Sequence, residues 1–474
     1  MPRVAILNVV GLTEGHLGPR LPRITAYARA GAVRRIDPVL PAVTCTAQST
    51  YLTGLPPGSH GAVANGWYDR GLSEVHFWKQ SNHVVQGRKL WEELRERTPG
   101  FTCAKLFWWY NMYSSADYSI TPRPMYPADG RKVFDIYSWP PDLRPGVKQE
   151  LGEFPFPGFW GPAAGLPSPA GGRDCATRWI AGSARWVEEQ HGPTLNLVYL
   201  PHLDYNLQRL GPGDPAVARD FEEIDQIVGD LIDLFDRRGV EVILLSEYGI
   251  TPVSRPVHVN RALREAGLLT VREELGLELL DPGNSLAFAV ADHQVAHVYV
   301  NDPGVLPEVR RILEALPGVG ELLDAREQES RGLRHPRAGD LIAVAAPDAW
   351  FTYYYWLEDR RAPDFARCVD IHRKPGYDPV ELFIDPALRA PKLRIAWKLL
   401  RKALGFRMLM DLIPLDAGLV KGSHGARPMS PRDFPVLILP REVPALPEVI
   451  PAEGVYGVLR NHLLGPAAGG RGEA

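Results

Sequence analysis

Two unbroken apolar runs with one long amphipathic repeat between them constrain this chain more than any other feature. Residues 194–200 (TLNLVYL) and 241–246 (EVILLS) have the texture of strands buried on both faces. Between them Phe221, Ile224, Ile227, Val228, Leu231, Leu234 and Phe235 recur at three- and four-residue spacing, and Gly239 follows the last of them. That pattern predicts an amphipathic helix with a glycine stop. Strand, helix, strand implies a right-handed crossover in a parallel sheet. A third buried strand is expected at Val4–Val10, closed by Gly11, with a helix behind it carrying Leu21, Ile24 and Ala28 on one face. The fold class is α/β.

Composition narrows the rest. With 474 residues, 45% hydrophobic and 23% charged, the chain can bury a large core and is not a disordered polymer. Lys and Arg (53) nearly balance Asp and Glu (56), so no electrostatic footprint for nucleic acid is expected. The 45 Gly and 45 Pro residues exceed ordinary usage without any period, which points to long ordered loops around a core. Cys45, Cys103, Cys175 and Cys368 form no CxxC pair and fit neither a disulfide framework nor a zinc ribbon. No run reaches the length of a signal or membrane segment, so a cytoplasmic location is expected.

Residues 111–175 are rich in Pro, Gly, Tyr and Trp with little periodicity and read as an extended surface excursion. From about residue 255 the texture changes: a helix is expected near 260–266, a strand at 296–300 and a helix near 306–316, followed by the aromatic segment 350–356. Motif-like residues return only at Gly422-Ser423-His424-Gly425. The expected organisation is therefore a core over 1–260, an inserted smaller α+β cap over 261–410, and a return to the core over 411–474.

Ligands of open α/β sheets bind beyond the carboxyl ends of the strands. The informative residues are then Val10-Gly11, the segment 41–65, His202 and Asp204, Glu247-Tyr248, and His424. Within 41–65 stand Thr44, Thr53-Gly54, Pro57, His60-Gly61 and Asn65. In that order they resemble the nucleophile region of the nucleotide pyrophosphatase/phosphodiesterase family, within the alkaline phosphatase superfamily. The later motifs follow in the family's order: Asp204 leading into Gly211-Pro212, then Ser246-Glu247-Tyr248-Gly249, then Ser423-His424-Gly425.

The resemblance implies an alkaline-phosphatase-like core, a mostly parallel sheet with helices on both faces. It also implies a hydrolase of a small-molecule phosphate ester, most simply a phosphodiester or pyrophosphate. Thr44 would be the nucleophile, and Asn65 would donate to a phosphate oxygen. One or two divalent cations (Mg, Mn or Zn) would be held by Asp204, Gln208, Glu247 and His424. The departures are specific. Val10 stands where the family has a metal-binding Asp, Gln208 where it has His, and Glu247-Tyr248 where it has Asp-His. The surviving oxygen-rich set suits Mg²⁺ or Mn²⁺ at least as well as zinc. The alternative is a non-catalytic relative that binds an anionic metabolite or a pathway partner. A sulfatase is set aside, because Cys45-Thr46-Ala47-Gln48-Ser49 lacks the Pro and Arg that such enzymes require.

Other residues have plainer readings beside functional ones. Thr44 would also serve as a helix cap. His60 reads as structural, and His202 would face the same way as Asp204 if the strand ran on. His293 and His297 spell HxxxH, but their β-branched neighbours predict a strand rather than a ligand-bearing helix. His372, with Arg373 and Lys374 beside it, is a secondary candidate for meeting phosphate. Aromatics of 107–110 and 350–356 read as core, or as a platform for a flat leaving group. Finally, Lys392, Arg394, Lys398, Arg401, Lys402 and Arg407 interleave with Leu393, Ile395, Trp397, Leu399, Leu400 and Leu404. That basic amphipathic helix would pack on its own domain, lie on a membrane or meet a protein partner.

Overall fold

The computed structural model describes residues 1–166, 175–370, 373–441, 443 and 446–465. The strands used below are, in chain order, β1 (Arg3–Val9), β2 (Ala32–Asp37), β3 (Cys103–Leu106), β4 (Tyr118–Pro122), β5 (Ile136–Trp139), β6 (Leu195–Leu200), β7 (Val240–Leu245), β8 (Ala287–Asp292), β9 (Val295–Val300), β10 (Val319–Leu323), β11 (Leu341–Ala345), β12 (Val436–Leu439) and β13 (Val449–Pro451). Nine of them form one sheet in the order β13-β2-β12-β7-β1-β6-β3-β4-β5. The middle five, β7-β1-β6-β3-β4, are all parallel, while β12 and β5 run against their neighbours. Asn8 pairs with both Tyr199 and Leu245, so β1, β6 and β7 end together. Val10, Pro201 and Glu247 follow on one sheet edge.

Alternation along β1 builds a three-layer core. Ala5, Leu7 and Val9 meet one apolar layer that includes Ile24 of α1 (Pro22–Ala30) and Phe221, Ile224 and Val228 of a later helix; Val4 and Ile6 meet the other, with Tyr51, Trp91 and Leu459. Helices therefore cover both faces, as a buried parallel sheet requires. The principal helices after α1 are α2 (Thr44–Thr53), α3 (Ala176–His191), α4 (His202–Arg209), α5 (Ala218–Arg237) and α6 (Pro391–Ala403). The apolar stripe of α5 is buried along its length, and Gly239, at φ +67°, turns the chain into β7.

The chain leaves this sheet after β7 and rejoins it at β12. In between, β8-β9-β11-β10 form a separate antiparallel sheet. Trp350 and Tyr353–Trp356 are buried with it, together with Tyr68 and Phe77 from the early chain. One expectation is corrected. The segment 111–175 is not only a surface excursion: β4 and β5 extend the main sheet, and Phe154, Phe156 and Phe159 belong to its core. Strands of four or five residues bounded by prolines are too short to show a period.

Candidate active site

The ten residues of α2 are all buried although most are polar. Their hydroxyls and amide are satisfied internally. Ser49 and Thr53 bond carbonyls one turn back, Thr46 bonds the Ala62 carbonyl, and Thr50 bonds His60 Nε2 at 2.9 Å. His60 also accepts from the Ala62 amide through Nδ1 and is structural. Val43 is extended and Thr44 is the first helical residue, so its hydroxyl stands at the positive end of the helix. The loop bearing His424 is tied to the same entry: the Ala42 amide donates to the Gly425 carbonyl, and His424 Nδ1 donates to the Ala42 carbonyl at 2.8 Å. That bond leaves Nε2 as the lone-pair nitrogen, and burial lowers the imidazole pKa to about 3.

A narrow cleft opens here, lined by Thr44, Asn65, Tyr199, Asp204, Tyr248, His293, Tyr377 and His424, with Trp78, Trp109, Phe159 and Trp160 on its walls. Thr44 Oγ1 lies 3.3 Å from the Tyr248 hydroxyl, which donates to Asp204 Oδ1 at 3.1 Å. The Tyr248 ring lies flat on His424, centroids 3.6 Å apart, and His293 covers the other side of His424 at 4.0 Å. Burial raises Asp204 to about 7 and Glu247 to about 8. Glu247 Oε1 accepts from Asn8 and Gln48, while its Oε2 has no partner. Gln48 in turn accepts from the Trp109 amide, which links α2 to the cleft wall.

Asn65 accepts from the Cys45 amide and gives its side-chain hydrogens to Asp292 (3.2 Å) and the Tyr377 hydroxyl (3.0 Å). In this arrangement both are engaged by protein. His202 does not join the site: it begins α4, two helical positions from Asp204, and faces Asp220 and Cys175. His297 bonds the Val63 carbonyl and the Gly339 amide. His293 sits at φ +57° in the tight turn between β8 and β9 and reaches the Tyr377 hydroxyl at 3.0 Å. His293 and Tyr377 are cleft residues that sequence reasoning did not assign; the HxxxH pattern marked His293 for a different reason. Among the aromatics, Trp109 lines the cleft, whereas 350–356 contributes nothing to its lining. His372 lies outside the described residues.

The family resemblance implies one or two divalent cations held by Asp204, Gln208, Glu247 and His424. Among the described residues, no three His, Cys, Asp or Glu side chains converge as metal ligands. His424 Nε2 is 3.8 Å from Asp204 Oδ1, but the Tyr248 hydroxyl occupies the space between Asp204 and Thr44. Gln208 gives its amide nitrogen to the Asp204 carbonyl and Glu247 accepts from Asn8 and Gln48 through Oε1, which leaves Gln208 Oε1 and Glu247 Oε2 without partners.

One glycine fixes how the site closes. A Cβ on Gly422 would lie 2.1 Å from the Leu207 carbonyl oxygen, so the His424 strand rests directly on α4. Gly422→Ala is expected to cost about 1–3 kcal/mol by forcing these elements apart, read as a lowered urea midpoint; an unchanged midpoint would refute that close approach.

Beyond one edge of a largely parallel sheet, the fold thus gathers a threonine at a helix N-terminus, an acid and a histidine in one cleft. The profile of the family described as type I phosphodiesterase / nucleotide pyrophosphatase matches residues 4–378, and the chain belongs to that family. An uncharacterised pyrophosphatase/phosphodiesterase of Schizosaccharomyces pombe is 24% identical over 227 residues, 46% of this chain; the match spans only 38% of that relative's length. Among solved structures, phosphonoacetate hydrolase from Sinorhizobium meliloti, in complex with phosphonoformate, is similar at a TM-score of 0.60 and 15% identity, covering 98% of this chain and 96% of that one. An inactive variant of murine ectonucleotide pyrophosphatase/phosphodiesterase 5 in complex with AMP gives 0.57 at 14% identity, with 100% and 98% covered. At such identities the structural likeness speaks for the fold.

Proposed function

We propose that this protein is a phosphoester hydrolase acting on a small phosphodiester or pyrophosphate, with Thr44 as nucleophile. The observation that carries the reading is the continuous path Thr44 Oγ1, Tyr248 hydroxyl, Asp204 carboxylate on the cleft floor. Asp204, with a pKa of about 7, is a base matched to neutral pH. Through the phenol it takes the proton that Thr44 releases on attacking phosphorus. The helix end behind Thr44 favours the negative charge that develops there. Family membership and relatives that act on or bind phosphate esters and phosphonates support the same class.

The cleft lining contains one carboxyl, Asp204, two histidines that burial keeps neutral, His293 and His424, and no Lys or Arg. A singly charged diester is therefore favoured over a doubly charged monoester. The expected result is turnover of an aryl phosphodiester above that of the matching monoester: attack by Thr44 releases one alcohol, and the remaining half of the diester is trapped on Thr44 as its phosphoryl monoester adduct in acid-quenched samples analysed by mass spectrometry. That no three His, Cys, Asp or Glu side chains converge among the described residues favours a second reading, a relative that binds such esters without cleaving them. Saturable binding with neither turnover nor the Thr44 adduct would establish that reading and overturn the first.

A further inference from the structure

The helix α6 is a surface element with no buried residue. Its better-covered positions, Pro391, Ile395 and Lys398, share one side and face the protein. Leu393, Trp397, Leu400 and Leu404 follow at i, i+4, i+7 and i+11 on the opposite side, 73%, 59%, 50% and 65% exposed. This stripe points straight away from the fold. Phe406 and Leu409 continue it, and across the gap bridged by Lys402, whose ammonium lies over Phe134, stand the exposed Met125, Tyr126 and Phe134.

Charge selects the occupant. Seven Lys and Arg residues and no acid lie between Asp385 and Asp411, in a chain of net charge −3. Two of them, Arg394 and Lys398, pair with Asp411 and fix the helix on the body. Of the others, Lys392 and Arg401 border an apolar stripe that includes a tryptophan, while Lys402 lies on the side of Ile395 and Lys398, over Phe134. We propose that residues 391–409 lie in the surface of an anionic lipid bilayer, the stripe immersed and the cations at headgroup level. The attachment proposed is peripheral; no helix among the described residues is long and apolar enough to cross a membrane. This inference is independent of the chemistry in the cleft.

The test is flotation of the full chain with phosphatidylcholine vesicles, with and without phosphatidylserine. Binding is expected to the phosphatidylserine vesicles and to weaken with salt. The double variant Trp397→Glu, Leu400→Glu is expected to lose about tenfold or more of it with an unchanged melting temperature, because neither side chain is buried. The pair Lys392→Glu, Arg401→Glu is expected to remove the preference for phosphatidylserine. Absence of flotation, or flotation that the Trp397/Leu400 variant leaves intact, would overturn the proposal. So would lipid-free self-association abolished by that variant, which would assign the stripe to a second copy of the chain.

Discussion

Thr44→Ala is expected to abolish phosphoester turnover, and Tyr248→Phe to reduce it by about 10²–10⁴-fold, the usual range for loss of a positioned proton path. Tyr248→Phe is nearly isosteric and Thr44→Ala removes only two small atoms at the cleft floor, so each should leave a folded protein. Thr44→Ala removes the attacking oxygen and leaves Tyr248 bonded to Asp204. Tyr248→Phe keeps the ring stacked on His424 but removes the hydroxyl that joins Thr44 to Asp204. The two variants differ in a measurable way. The bond from Tyr248 lowers the Asp204 pKa against the burial that raises it to about 7. Without it the carboxyl rises further, so the limb of the pH–rate profile that needs ionised Asp204 moves to higher pH. A purely structural tyrosine would cost stability and leave that limb in place. Full activity in Thr44→Ala, or an unmoved limb in Tyr248→Phe, would remove the relay.

The sequence was most legible where burial repeats along a continuous stretch. The runs of β1, β6 and β7 and the stripe of α5 each carry enough consecutive apolar positions to declare both element and face. The order of short motifs also carried far: Thr44, Asp204 and His424, spread over almost the whole chain, line one cleft. What the sequence could not show is how residues distant along it are paired by the sheet. Gln48 and Asn8 hold Glu247 from elements that give no local sign of meeting. The reading of His202 depended on whether the strand continued; the chain turned into α4 instead and carried the imidazole away from Asp204. Tyr248 at the family's histidine position was visible as a departure. That its hydroxyl stands between the nucleophile and the acid follows only from the geometry.

The other large effect is expected at Lys374, just outside the cleft. Its ammonium is 1% exposed and forms an ion pair with Glu381, itself 2% exposed, while also donating to the Cys368 carbonyl at 2.8 Å. Glu381 accepts from the Trp160 indole at 3.1 Å, and Asp378 nearby has one oxygen without a partner. The single buried cation thus compensates two buried carboxyls and anchors a wall that carries Trp160 and Tyr377. Lys374→Met keeps the volume and removes the charge, which is expected to cost about 3–5 kcal/mol because the carboxyls remain behind. The pH dependence follows from the direction of their shifts. Burial raises Asp378 from 3.8 to about 7 and raises Glu381 as well. Stability from such groups is complete below the unfolded value and is lost as pH rises through the folded one. Without Lys374 the folded values climb further, so the deficit of the variant should be small in acid and largest above neutral pH. Urea titrations of both proteins across that range measure it directly. A deficit that does not vary with pH would mean that Lys374 acts by packing its stem, and that the carboxyls do not depend on its charge.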